Sequence, residues 1–123
     1  MLLRQWGVNS GLIGTCLGDD PRGHTTAQQP IDAGVAGEFQ LYPDVTTPFE
    51  INVSDGSGAR TYFWRRDSDV LDTLDSADLS LIDGSKLLYA DWYDGDHILR
   101  PMKMAQQLGV PVFLNLEHGH HDK

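Results

Sequence analysis

The sequence holds a single cysteine, Cys16, among 123 residues. No internal disulfide can form, so a packed core has to supply the stability, and a reducing, cytoplasmic setting is expected. Long apolar runs are also missing. None approaches the roughly 18 residues that cross a bilayer, so no transmembrane helix and no membrane partner are expected. "MLLRQWGV" is too short to be the apolar part of a secretory leader. Cations are scarce: 9 Lys and Arg stand against 18 Asp and Glu, for a formal charge of −9. Phosphate backbones are gripped by clustered Lys and Arg, and scattered ones argue against a nucleic-acid partner. Repeats, low-complexity tracts and linker-like stretches are absent too.

What is present is the composition of one folded domain, with 40% hydrophobic and 22% charged residues. "LLRQWG" reads as the last turns of a helix, stopped by Gly7. "GLIGTC" reads as a short buried strand. Asp20 before Pro21 marks a helix start, with a side-chain acceptor at the cap and a ring in the first turn. That helix runs towards Gly34 and is expected to be interrupted at Pro30. Between Glu38 and Arg66 the pattern turns to β: "EFQLY", "FEINV" and "RTYFWRR" are strand-like, and Asp55-Gly56 with Gly58 signals a hairpin turn. Tyr62 and Trp64 fall on one face of the last run, with Thr61, Phe63 and Arg65 on the other.

Beyond Asp67 helix and strand alternate again. "DSADLSLI" reads as a short helix or turn, and "KLLYAD" and "VPVFLNLE" as buried strands. The helix between those strands carries Ile98, Leu99, Met102, Ala105 and Leu108 at helical spacing and stops at Gly109. Pro101 either kinks it or belongs to its first turn. Strand, helix, strand is the unit of a parallel sheet. The expected fold class is therefore α/β: residues 1–37 and 67–123 form a partial parallel layer with flanking helices, and residues 38–66 a small antiparallel lid.

The stretch "GVNSGLIGTCLGDDPRG" resembles the ribokinase-type (PfkB) carbohydrate kinases, with Gly7, Val8, Gly14, Gly18, Asp20 and Gly23 at matching positions. "PDVTTP" sits where that family has a Pro-Thr turn. "SADLSLIDGSKLLYADW" and "AQQLGVPVFLNLE" are similar to the later elements, in the same order. "YFWRRDSD" is closest in style to the 2-keto-3-deoxygluconate kinases and fructokinases. The resemblance implies a sugar or sugar-acid substrate, ATP and Mg2+ in the full-length enzyme, and a homodimer formed through the β lid. It covers only a middle part of such a kinase. The family's first strand, with its sugar-binding Asp, and its Asp-Thr-x-Gly-Ala-Gly-Asp segment, with the catalytic base, have no counterpart here. The chain alone is therefore expected to be inactive, with no catalytic, cofactor-binding or metal-binding residue of its own. Asn115 and Glu117 also stand where the family has Asp and Asn.

The resemblance makes Phe63 and Arg65 sugar contacts on the lid. A planar guanidinium suits a hydroxyl or carboxylate, although Arg65 also reads as a strand end paired with Asp67 or Asp69. Asp91 and Trp92 lie just past a strand end, where ligands of parallel sheets bind, and are further sugar-contact candidates. Asp94 and Asp96 read as loop acids or caps. Asp19 and Asp20 could suggest a metal pair, but a cap explains Asp20. "EHGHHDK" has zinc-type ligands without the spacing of a helical pair. Cys16 reads as core. The alternative function is a non-catalytic sugar-binding or dimerisation module, and a small metal-binding protein ranks last.

Overall fold

The computed structural model describes residues 2–116, without the side chains of residues 92–94. The Glu117 to Asp122 cluster lies outside the described residues.

A short helix α1 (Leu2–Gln5) leads to an extended stretch and then to β1 (Leu17–Gly18). "GLIGTC" is not a full strand: Gly11 makes one bridge to Ala36, and regular pairing is confined to Leu17 and Gly18 against Leu41 and Tyr42 of β2 (Leu41–Tyr42). At Cys16 the N–H donates to the Thr73 hydroxyl at 2.9 Å instead of joining a ladder. Apolar content announced burial at this point, and Cys16 is indeed buried.

Helix α2 (Pro21–Asp32) starts where Asp20 and Pro21 predict. It is not interrupted at Pro30. The proline lies in the last turn, its side chain buried, and its carbonyl accepts from Val35 N–H at 2.9 Å while Gly34 N–H donates to Ile31. These two bonds form the glycine-dependent terminator of a helix, with Gly34 at φ 70°. Pro30 is thus part of the stop through its carbonyl.

The β-rich middle forms one hairpin, β3 (Phe49–Ser54) antiparallel to β4 (Arg60–Arg65). Asp55 shapes the turn by accepting from the N–H groups of Ser57 and Ala59. The register puts Phe49, Ile51 and Val53 on the face of Arg65, Phe63 and Thr61, leaving Tyr62 and Trp64 on the other. From Glu50 to Arg65 every residue is exposed, so both faces stand in solvent.

A short α3 (Ser68–Asp72) and 3₁₀ turns at Thr73–Ser76 and Ser80–Ile82 lead to β5 (Leu88–Asp91). Two 3₁₀ turns within Trp92–Ile98, separated by a kink at Gly95 (φ 61°), then precede α4 (Leu99–Gln107), which places Pro101 in the first turn of α4. β6 (Val112–Asn115) pairs parallel with β5, Leu88 opposite Val112 and Asp91 opposite Asn115.

The core lies between α4 and this parallel pair. Leu79, Ile82, Ala105 and Val110 form it, and Ile13, Leu88, Met104 and Val112 pack against it. Ala105 and Val110 belong to the terminator of α4, where Val110 N–H reaches the Ala105 carbonyl at 2.8 Å. Only alternate strand residues point there. Tyr89 and Phe113 occupy the opposite face, stacked with ring centroids 5.8 Å apart, and both are exposed. The expectation of fully buried strands therefore holds for one face only. Parallel sheets are normally covered on both.

The candidate site at the base of the hairpin

Three segments meet where α2 begins. Asp20 is in the extended region, so its carboxylate turns back over the first turn and Oδ1 accepts from Gly23 N–H at 2.8 Å. The same carboxylate reaches the loop before the hairpin. Thr47 N–H donates to Oδ2 at 2.9 Å, and the Thr47 hydroxyl donates to Oδ1 at 3.0 Å. That hydroxyl also accepts from Gly18 N–H at 3.0 Å, tying in the end of β1. The Thr47 N–H, followed by the Gly23 N–H, holds the Asp20 carboxyl down at about pH 2, so it is ionised at neutral pH.

The closeness of these segments explains two glycines. A β-carbon on Gly18 would lie 2.6 Å from the Val45 carbonyl oxygen, and one on Gly23 would run into the Gly18 carbonyl. Thr47 is 3% exposed and is the one buried polar side chain among the described residues. Two residues further on, Phe49 opens β3, and the Arg22 guanidinium lies over its ring at 4.5 Å from the centroid. The first turn of α2 therefore holds the hairpin base at two points, Thr47 and Phe49.

Sequence reading placed Asp20 as a cap and missed Thr47. The signal was the spacing Gly18-x-Asp20-x-x-Gly23, a cap with a residue of no bulk on either side, which means that another segment comes close.

Of the sequence-derived sugar contacts, Phe63 and Arg65 share one face of β4, both exposed. Arg65 Nη2 lies 3.2 Å from Asp67 Oδ2, the strand-end pairing foreseen as its alternative. Asp91 is half-buried at the carboxyl end of β5, with Asn115 Nδ2 3.5 Å from its Oδ2. The Trp92 side chain lies outside the described residues. A cleft of about 220 Å³ opens elsewhere, walled by Thr15, Cys16, Glu38, Thr73, Asp78 and Ser80 among others. None of Phe63, Arg65 or Asp91 lines it.

At the turn from β1 into α2, Gly18 to Pro21, the ionised Asp20 carboxylate occupies the helix N-terminus, and its charge disfavours an anion there. No group of three His, Cys, Asp or Glu side chains among the described residues is arranged to hold a metal ion.

No family model matches the chain, and no curated protein matches it in sequence. Solved structures do match in fold. A fructokinase from Xylella fastidiosa superposes with a TM-score of 0.76 at 18% identity, over 91% of this chain and 37% of its own. The structure of fructokinase with bound ATP from the same organism gives 0.67 at 16%, over 82% and 34%. A ribokinase from Giardia lamblia gives 0.64 at 11%, over 88% and 35%. The chain thus has the mixed α/β fold of part of a ribokinase-like domain and spans about a third of the length of these neighbours.

Proposed function

We propose that this chain is the sugar-side part of a PfkB-type carbohydrate kinase, in which a longer enzyme uses ATP and Mg2+ to phosphorylate a hydroxyl of a sugar or sugar acid. The observation that carries it is the superposition on a fructokinase over 91% of the chain, with a TM-score of 0.76. The exposed apolar face of the hairpin supports a role as cover. Phe63 supplies a flat apolar surface and Arg65 a fork of donors beside it. A carboxylate ligand on the substrate would favour Arg65 most, which accords with a 2-keto-3-deoxygluconate kinase style. Asp91 and Trp92 at the end of the parallel pair are proposed as further sugar contacts. ATP, Mg2+ and the catalytic base are assigned to segments of the longer enzyme, and no chemical step runs through the residues described above.

In the same reading, the body is residues 1–37 and 67–123 and the lid is residues 38–66, and the lid pairs with that of a second copy. Both exposed faces of β3 and β4 favour such pairing, since one can cover substrate while the other meets a partner. The test is phosphoryl transfer from radiolabelled ATP to a panel of sugars and sugar acids. The 123-residue chain is expected to give no turnover, and a polypeptide extended by the flanking reading frames is expected to give it. Turnover by the short chain contradicts the assignment.

A further inference from the structure

Aspartates recur at every third position from Asp69 to Asp78, through α3 and the 3₁₀ turn that follows it. Residues three apart lie one above another in such a turn. Asp72 and Asp75 are both exposed, while Val70 and Leu74 are buried behind them. His97, in the segment before α4, faces that pair across a seam. Its Nδ1 is 3.0 Å from Asp75 Oδ1 and its Nε2 is 3.9 Å from Asp72 Oδ1, with the side chain 23% exposed. One turn further on, Arg100 crosses the same seam to the carbonyls of Leu74 and Ala77, with Nη1 2.8 Å from Ala77. The two side chains differ in one respect. A guanidinium keeps its charge throughout the range in which proteins work. An imidazole gains and loses its proton within that range. Neutral, it donates from a single nitrogen and turns the lone pair of the other outward; protonated, it donates from both.

We infer that His97 is a proton-operated staple between the segment entering α4 and the acidic ridge of α3, drawn tight by Asp72 and Asp75 when the imidazole is charged and relaxed when it is neutral. Arg100 is the permanent fastening at the same place, and Val70, Leu74 and Ile98 are buried where these elements pack on one another. Loss of the proton therefore loosens the seam without parting it. The other charged groups on the elements around the ring are Asp69 and Asp78 at the ends of the ridge, Asp91 at the end of β5, Asp96 before His97 in sequence, and Lys103 on α4. Acids outnumber cations in that set, so this place favours a cation. The two aspartates that face the ring are exposed, so water and salt keep the attraction modest. The contact adds stability on the acid side, where the imidazole is charged and carboxylates are still ionised, and that contribution is lost as pH rises through the His97 titration. Asp20 acts in the opposite sense, since its contribution is lost towards acid. The inference concerns this chain alone and holds whether or not a sugar binds.

The test is a pH titration of the full chain by nuclear magnetic resonance, following the imidazole Cε1–H signals, with that of His97 assigned by its loss in His97→Gln. Asp75→Asn keeps an acceptor oxygen and removes the charge. It is expected to lower the His97 midpoint by about 0.2–0.7 pH unit, the range that exposed ion pairs produce, and Asp72→Asn together with Asp75→Asn to lower it further. His24, paired with Asp19 on another part of the chain, is expected to keep its midpoint in both variants. Amide shifts at Thr73 and Ile98 are expected to follow the His97 midpoint in the parent and to lose that step in His97→Gln. A ring that only fills space gives no such step. In urea, the parent is expected to outlast His97→Gln at about pH 5.5, and the gap to narrow at about pH 8. A His97 midpoint unmoved in the double variant overturns the staple, as does a gap equal at the two pH values. Thr73 and Ile98 amides that ignore the midpoint overturn its link to the seam. A His97→Gln chain unfolded at about pH 8, where the parent is folded, shows that the ring and not its charge is required, and also overturns the inference.

Discussion

Asp20 and Thr47, 27 residues apart in sequence, hold each other through two hydrogen bonds, Thr47 N–H to Oδ2 at 2.9 Å and Thr47 Oγ1 to Oδ1 at 3.0 Å. The pair joins the helix after β1 to the loop before the hairpin, and several consequences can be measured.

Thr47→Val keeps the shape of the side chain and removes its hydroxyl. The Gly18 N–H is left buried without its acceptor, and Asp20 loses one donor. A loss of about 1–3 kcal/mol in unfolding free energy is expected, read by urea titration. Thr47→Ser, which restores the hydroxyl, should recover most of it.

Gly23→Ala sets two effects against each other. Alanine is favoured over glycine inside a helix by about 1 kcal/mol, which alone would stabilise α2. Its β-carbon, however, would collide with the Gly18 carbonyl oxygen and press on Thr47 Oγ1. Overpacking costs about 1–3 kcal/mol or more, so the clash wins and the melting temperature is expected to fall.

Acid should loosen the same junction. The Asp20 carboxyl is lowered from 3.8 to about 2 in the folded chain. A depressed carboxyl contributes stability that is fully present above the unfolded value and disappears as pH falls through the folded one. Stability is thus expected to decline between about pH 4 and pH 2. Asp20→Asn, which still accepts hydrogen bonds but does not titrate, should flatten that part of the curve.

The bare face of the parallel pair is a hydrophobic surface. Tyr89 is 58% exposed and Phe113 58%, and they stack on one another. Exposed apolar patches bind dyes and promote association. Tyr89→Ser with Phe113→Ser is expected to lower the fluorescence of bound anilinonaphthalene sulfonate without unfolding the chain, because neither ring packs in the core on the α4 side.

Punctuation was the most legible part of the sequence. Asp20-Pro21, Gly34, Asp55-Gly56 with Gly58, and Gly109 each mark a cap or turn through a local requirement, and each boundary fell close to its signal. The alternation in "RTYFWRR" gave the faces of β4 for the same local reason. Strand character in "GLIGTC" was less legible, because pairing depends on what lies alongside, and there Thr73 takes the Cys16 N–H. Burial of Tyr89 and Phe113 was also misjudged. Apolar content says that a face wants cover and cannot say that cover is present. Thr47 escaped notice because its partner, Asp20, is distant in sequence and already had a sufficient local role as a cap. The family resemblance named Phe63 and Arg65 as sugar contacts, whereas the contact between Arg65 and Asp67 is set by the strand end.

The most direct measurement is a titration of the isotopically labelled chain with fructose, ribose and 2-keto-3-deoxygluconate, followed by amide chemical shifts. Shifts at Phe63, Arg65 and Asp91, saturating with one of these ligands, are the predicted result. Shifts confined to the cleft walled by Thr15, Thr73 and Ser80, or none with any sugar or sugar acid, would contradict the hairpin as a cover over a sugar.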